Sequence, residues 1–163
     1  MFRKILVPVD SSEESRTILR WAVGLAKATK SDLTLLSVVD TEDIRIAEAS
    51  ARSDGPPAAA SPVDQVITKV KADLEVEAVD LRATGVSIDI RVVAGTAAES
   101  IVTEAQELGV DLIAMSTRRE SALARGILGS VTDRVLHSTS IPLLILQPED
   151  LTENFQSTDD GAA

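Results

Sequence analysis

The chain has 163 residues, no cysteine, one histidine and a formal net charge of −10, and only 2% of its residues are aromatic. These values exclude disulfides, thiol catalysis and cysteine-ligated zinc. They also argue against a general binder of nucleic acids or anionic membranes, which needs a basic face. The length predicts one domain, and the 44% hydrophobic content predicts an aliphatic core. No apolar run approaches membrane-spanning length and the N-terminus lacks a signal-peptide pattern, so we expect a soluble, cytoplasmic protein.

Apolar runs and helical periodicity alternate along the chain. The predicted strands are Lys4–Asp10, Asp32–Asp40, Val86–Gly95, Val110–Ser116 and Ile141–Pro148. The predicted helices begin after Ser11 or Ser12, at Pro62 (ending at Gly85), after Thr96 and at about Ser130. Strands that alternate with helices predict a parallel sheet built from right-handed crossovers.

Local patterns refine three of these elements. Alternating polar residues in "VSIDIRVVAG" predict that the third strand is a half-exposed edge. Thr96 followed by Glu99 predicts a capping box at the start of the third helix. Ser130 is predicted to cap the fourth helix.

Two segments fall outside this pattern. Residues 41–61 contain "SDGPPAAASP" and are predicted to form a long surface loop. Residues 149–163 carry five acids and no Lys or Arg, and they are predicted to be a disordered acidic tail. The domain is therefore predicted to span residues 1–148.

Several residues fall at the carboxyl ends of predicted strands: Asp10, Val38–Asp40, Gly95 and Ser116–Arg119. Ligands of open parallel sheets bind beyond these ends, where the strand order switches. The stretch "STRRESALARGILGSVTDRV" (116–135) therefore lies on the predicted ligand-binding edge.

The Gly129–Ser130 pair stands where a helix is predicted to begin, and the free amides of a first helical turn attract anions. Arg118, Arg119 and Arg125 could add guanidinium groups for phosphate, and Asp10 could accept from a ribose hydroxyl or an adenine amino group. The alternative is purely structural: a turn, a cap and a solvated basic patch. The residues alone leave both interpretations open.

Catalytic chemistry is not indicated. His137 has no second histidine or nucleophile motif beside it, and its place near a helix end is explained by the helix dipole. Asp10 and Asp40 could suggest a metal pair, but acids at strand ends more often hold loop amides or a ribose. Without a Walker lysine motif we expect no catalytic residues and no protein metal site.

Several separated segments carry a family resemblance. The opening "ILVPVD", the segment "AAESIVTEAQELGVDLIAMST" and the segment "GSVTDRVLHSTSIPLLIL" resemble the universal stress protein family in order and spacing, from Phe2 to Pro148. The resemblance implies a single-domain, three-layer α/β/α Rossmann-like fold of the adenine nucleotide alpha hydrolase-like type, with a five-stranded parallel sheet. It also implies a role in the stress response and a homodimer formed through the last strand, Ile141–Gln147.

One branch of that family binds ATP through the pattern G-x2-G-x9-G-(S/T), and the other branch lacks the pattern. The matching positions here are Ser116, Arg119, Gly129 and Ser130, so both early glycines are replaced while the spacing is kept. Arg119 either pairs with phosphate or fills the site, and the sequence alone does not distinguish these two possibilities.

The resemblance to the ATP-binding branch implies a set of ligand-contacting residues. Asp10 and Val38 would face adenine and ribose, and Gly129, Ser130 and Val131 would face phosphate. The full implied set is Pro8, Val9, Asp10, Val38, Met115, Ser116, Thr117, Arg119, Gly129, Ser130 and Val131. The expected cofactor is ATP, alone or with Mg²⁺, with slow hydrolysis at most. The alternative is a dimeric protein-interaction module whose pocket Arg119 closes.

Overall fold

The computed structural model describes residues 2–10, 12–40, 44–45, 61–117 and 129–146. Five strands and four helices alternate in these ranges. The strands are β1 (Lys4–Pro8), β2 (Asp32–Val39), β3 (Ile88–Ala94), β4 (Leu112–Ser116) and β5 (Leu143–Leu146). The helices are α1 (Glu13–Thr29), α2 (Pro62–Arg82), α3 (Ala97–Leu108) and α4 (Ser130–Ser138).

All five strands are parallel and lie in the order β3-β2-β1-β4-β5. The chain moves outward from β1 through β2 to β3, returns to β4 on the other side of β1, and ends at β5. This confirms the predicted parallel α/β sheet and places its switch in strand order between β1 and β4. The expected edge position of the third strand is also confirmed, with Asp89 and Arg91 exposed.

Two aliphatic cores cover the two faces of the sheet. One core joins the sheet to α1 and α2, and Ile5, Val7 and Leu35 are fully buried in it. The other joins the sheet to α3 and α4, around Leu6 and Ile113. Successive residues of β1 thus enter opposite cores, as the two-residue repeat of a strand requires. The result is the expected three-layer α/β/α architecture.

The predicted helix caps were partly wrong. The N-cap of α4 is Gly129, not Ser130, which is instead the exposed first residue of the helix. Thr96 is the N-cap of α3, but its side chain makes no capping hydrogen bond, so the predicted capping box does not form. Thr96 contributes its backbone carbonyl, which accepts from the Ser100 amide at 2.9 Å. In neither helix, therefore, does the N-cap residue place its own side chain on the first amides.

Element ends differ from the predictions by a few residues. The first strand ends at Pro8 instead of Asp10, and α2 ends at Arg82, three residues before Gly85. Of the predicted loop 41–61, the structure describes 44–45, which are helical, and the N-cap Ser61. The predicted tail 149–163 lies outside the described residues. No helix within the described ranges is both long enough and apolar enough to cross a membrane.

Asp111 connects two strands at their amino-terminal ends, on the side of the sheet opposite the predicted ligand-binding edge. Its Oδ2 accepts from the backbone amides of Arg3 at 2.6 Å and Lys4 at 3.0 Å, so it ties the start of β1 to the start of β4. Lys4 Nζ donates to the carbonyl of Leu108 at 3.0 Å, at the C-terminal end of α3. The hydrogen bond from the Arg3 amide, and to a lesser extent the one from the Lys4 amide, holds the pKa of Asp111 below its ordinary value.

We expect the Asp111→Asn variant to be less stable than the wild type at pH 7, with the gap closing as the pH is lowered. A carboxylate whose pKa is lower in the folded state stabilises that state above its unfolded pKa, about 3.9 for aspartate. This stabilisation is lost as the pH falls through the folded pKa. Denaturant unfolding between pH 7 and pH 3 measures the gap. Asp89→Asn, which removes an exposed carboxylate from β3, is the control, and an equal pH response in both variants would contradict the assignment.

Candidate functional site

A cavity of about 240 Å³ lies beyond the carboxyl ends of β1, β2 and β4. It sits at the switch in strand order, between β1 and β4, where open parallel sheets bind their ligands. Its walls come from these three strands and from the first turns of α3 and α4. The lining residues are Pro8, Val9, Asp10, Ser12, Leu36, Val38, Ala97, Ile101, Met115, Ser116, Gly129, Ser130, Val131 and Thr132.

Aliphatic side chains make one part of the cavity. Leu36 and Val38 are two residues apart on β2 and so share a face of the sheet. Ile101 of α3 packs against the same face, in the core that joins the sheet to α3 and α4. Met115 adds a flexible thioether from β4 and is 4% exposed.

Asp10 supplies the carboxylate of the site and is held in place locally. Its Oδ1 accepts from the backbone amide of Ser12 at 2.9 Å and forms a short hydrogen bond with the Ser12 hydroxyl. This arrangement fixes the turn between β1 and α1. Among the described lining residues Asp10 is the one acidic side chain, so its oxygens favour hydrogen-bond donors of a ligand, such as hydroxyl or amino groups.

Another part of the cavity wall is formed by the starts of α3 and α4, where backbone amides can donate hydrogen bonds. Gly129 at the start of α4 has no side chain to occupy the first amides, and its carbonyl accepts from the Asp133 amide at 2.9 Å. Thr96 leaves the first turn of α3 similarly uncapped, and Ala97 of that turn lines the same cavity. Two helix N-termini whose N-cap residues make no side-chain capping bond thus meet at one cavity, and their dipoles favour negative charge there.

A tight turn sets the position of α3. Gly95 has φ +154°, and a Cβ built on it would lie 2.8 Å from Ser100 Oγ. Any side chain at this position would therefore be strained by the positive φ and would force the Ser100 hydroxyl to move. The glycine lets the chain turn from β3 directly into α3, which brings Ala97 and Ile101 to the cavity.

Most of the residues implied by the family resemblance do meet at this cavity. They are Pro8, Val9, Asp10, Val38, Met115, Ser116, Gly129, Ser130 and Val131. Thr117 is buried beside the cavity but does not line it, and its backbone amide donates to the Leu146 carbonyl at 3.0 Å. Arg119, like Arg118 and Arg125, lies outside the described residues.

Five lining residues were not expected from the sequence: Ser12, Leu36, Ala97, Ile101 and Thr132. Leu36 could have been predicted from Val38, because residues two apart on a strand share a face. Ala97 and Ile101 share a face of α3, because residues four apart on a helix lie one above the other. Thr132 is 3% exposed. It had no clear sequence signal, because the burial of one hydroxyl depends on how α4 packs on the sheet.

The structure shows no constellation for acid–base or metal chemistry in its described ranges. No group of three or more His, Asp or Glu residues there could hold a metal ion. His137 is exposed, away from the cavity, and its Nδ1 lies 2.8 Å from the carbonyl of Asp133 on the same helix. This contact fits a histidine in the last turn of a helix.

Comparison with known proteins points to one family. The family model described as "Universal stress protein family" matches residues 1–147. A universal stress protein of Methanocaldococcus jannaschii is 27% identical over 155 residues, covering 90% of this chain and 96% of that protein. The universal stress protein YxiE of Bacillus subtilis is 30% identical over 151 residues, covering 90% of this chain and all of that protein.

Solved structures agree with the sequence matches. The structure of the M. jannaschii protein superposes with a TM-score of 0.72 at 26% identity, covering 90% of this chain and 96% of the other. A universal stress protein solved in complex with cAMP superposes with a TM-score of 0.57 at 23% identity, covering 90% of this chain and 97% of the other. At 23% identity this second likeness shows a shared fold.

Proposed function

Because the chain belongs to the universal stress protein family, we propose that it binds an adenine nucleotide, with ATP as the expected ligand, and acts as a stress-response regulator without rapid turnover. The observation that carries this proposal is the cavity between β1 and β4, which sets one carboxylate opposite two uncapped helix N-termini. A nucleotide has the matching chemistry: donor groups on its base and ribose, and an anion at its other end.

The lining residues fit each part of the nucleotide. Leu36, Val38 and Ile101 provide apolar contact for the base, and Asp10 accepts from a ribose hydroxyl or the adenine amino group. The first turn of α4 offers backbone amides and the Ser130 side chain to phosphate. The 240 Å³ bounded by the described residues is below the roughly 300–1,000 Å³ of typical ligand pockets, so these walls enclose only part of the nucleotide.

Binding is favoured over catalysis by the makeup of the site. The described lining residues include no Lys, His or Cys and one carboxylate, so they offer no nucleophile–base pair. Mg²⁺ would arrive with the phosphates, since the described residues offer it no protein cage. The cAMP complex establishes, for that relative, that this fold holds an adenine nucleotide.

Calorimetric titration of the purified protein with ATP, with and without Mg²⁺, tests the proposal. Co-purified nucleotide is first removed and identified. We expect saturable binding near one ATP per chain, with Arg119 accepted in place of a family glycine. Absence of binding at millimolar ATP would overturn the proposal and favour a pocket closed by Arg119.

A second candidate function, a homodimeric protein-interaction module, is favoured by the position of β5 at the edge of the described sheet. All four residues of β5 are Leu or Ile, and all are half-buried. The opposite edge, β3, carries two charged residues, Asp89 and Arg91, and Arg91 pairs with the buried Glu104 at 2.8 Å. An apolar strand at the edge of the described sheet favours pairing, and a second copy of β5 across a two-fold axis would cover it. This dimer is compatible with nucleotide binding, because the cavity lies elsewhere on the sheet.

A further inference from the structure

A second cavity, of about 340 Å³, lies at the amino-terminal edge of the sheet, opposite the cavity between β1 and β4. It is bounded by the C-terminal end of α1, by the start of β2 and by residues 85–87, which lead into β3. Part of its wall is apolar, because Ala26 and Val86 there belong to the core that joins the sheet to α1 and α2. The volume falls within the roughly 300–1,000 Å³ of typical pockets for small molecules.

Two lysines, Lys27 and Lys30, line this cavity. Within the described ranges neither ammonium group forms a hydrogen bond or an ion pair, whereas Lys4, Arg82 and Arg91 all donate to acceptors of the protein. Two such cations at one cavity stand out in a chain that has 26 acidic residues and 16 basic ones. They make this part of the surface attractive to a small anion.

The backbone of Lys30 is in a conformation that does not favour lysine. Its φ is +57°, and it is the one non-glycine residue with positive φ among the described residues. The Ser31 amide donates to the Ala26 carbonyl at 3.0 Å across this helix end, a pattern in which the intervening residue is usually a left-handed glycine. The helix dipole explains a lysine in the last turn of α1, such as Lys27, but not lysine in place of glycine at position 30. The Lys30 side chain is therefore kept at a cost in stability, which indicates a use for its charge.

Polar groups elsewhere in the wall indicate the rest of the ligand. Asp32 at the start of β2 and Ser87 just before β3 both line the cavity, and their exposed side chains have no partner in the described part of the chain. The Ser31 hydroxyl is already occupied, because it donates to the Phe2 carbonyl at 2.8 Å. A carboxylate and a hydroxyl beside two ammonium groups suit a molecule with an anionic group at one end and hydroxyl groups at the other.

We infer that this cavity binds a small hydroxylated phosphomonoester, whose phosphate pairs with Lys27 and Lys30 and whose hydroxyl groups bond to Asp32 and Ser87. A phosphomonoester carries about 1.5 to 2 negative charges at pH 7, which matches two lysines better than a single carboxylate does. The site lies at the other edge of the sheet from the proposed nucleotide cavity and does not depend on the proposed function.

Titration of the ¹⁵N-labelled protein with glycerol 3-phosphate, followed by NMR, locates the site and measures its affinity. We expect saturable shifts of the backbone amides of Lys27, Lys30 and Ser87. Gly129 and Ser130, which line the other cavity, should not shift. Shifts confined to Gly129 and Ser130 would assign the phosphate to that cavity and overturn the inference.

Three variants test the role of the lysines. Lys27→Gln keeps a good helix former and removes the charge, and Lys30→Gly restores the residue usual at this helix end. Each should raise the dissociation constant of glycerol 3-phosphate about tenfold, the effect of losing one hydrogen bond between charged groups. Lys30→Gly should also unfold at a higher denaturant concentration, because glycine adopts positive φ without strain. Lys71→Gln is the matched control, since it removes the same charge from an exposed position on α2, and it should keep the wild-type affinity.

The outcomes separate this inference from the proposed nucleotide binding. An equal loss of affinity in Lys71→Gln would show attraction by overall charge and overturn the site. Inorganic phosphate that binds as tightly as glycerol 3-phosphate would contradict the role of Asp32 and Ser87. Lower stability of Lys30→Gly would contradict the strain assigned to that lysine. Absence of saturable binding in the wild type would overturn the inference and leave the proposed ATP binding, which is titrated separately, standing.

Discussion

Replacing Gly129 with aspartate is expected to stabilise the protein and to weaken ATP binding at least about a hundredfold, or roughly 2.7 kcal/mol at 25 °C. Gly129 is the N-cap of α4, with φ −58° and ψ 151°, a conformation open to any residue. An aspartate in this position accepts from the first-turn amides, and such a cap contributes only a few tenths of a kcal/mol relative to glycine. The same carboxylate would occupy the amides proposed for phosphate and repel its charge.

Gly129→Asn is the matched control, because asparagine caps a helix about as well as aspartate but carries no charge. It should give a similar gain in stability and a smaller loss of ATP affinity, so the difference between the variants measures charge repulsion. Denaturant unfolding and calorimetry on both proteins make the comparison. Unchanged ATP affinity in Gly129→Asp would place the phosphates away from α4 and contradict the proposed binding mode.

The expected gain in stability and the expected loss of ATP affinity both follow from the uncapped start of α4. Helix starts in proteins are normally capped, yet in both α3 and α4 the N-cap residue beside the cavity makes no side-chain capping bond. An uncapped start is unfavourable in the free protein and useful to an anionic ligand, which is the exchange of stability for function expected at binding sites.

Local sequence patterns predicted the elements of the fold well. The apolar runs from Lys4 and from Asp32 mark buried strands, and the alternation through Asp89 and Arg91 identified an edge. These features depend on the neighbours of each residue along the chain. The position of β1 between β2 and β4 is different in kind, because it depends on which strands pack together and has no local signal.

The candidate site was predictable where it depends on strand ends and less so where it depends on helix packing. Asp10 and Val38 line the cavity because parallel strands bring their carboxyl ends to one edge. Ser130 was misassigned as a cap, since serine and glycine both suit that position and only the backbone geometry distinguishes them. Ile101 and Thr132 were missed because their approach to the cavity is set by how α3 and α4 lie on the sheet.

The proposed dimer leads to the second large effect: Ile145→Lys should convert the protein from dimer to monomer. Ile145 lies on the edge strand β5 and is half-buried, yet it packs against neither aliphatic core, unlike Leu144 and Leu146. A lysine there should leave the fold intact and place two like charges near one two-fold axis. We expect the dimer dissociation constant to rise at least about a hundredfold, equivalent to roughly 2.7 kcal/mol.

Sedimentation of the wild type and of Ile145→Lys at micromolar concentration measures this change, and Val76→Lys is the matched control. Val76 is 73% exposed on α2, so the control adds the same charge to an exposed apolar position away from β5 and should remain dimeric. A wild type that sediments as a monomer would contradict pairing through β5. A variant that stays dimeric would place the interface on another surface. Retention of ATP binding by the monomeric variant would show that each protomer carries a complete site, as expected if the walls of the cavity come from one chain.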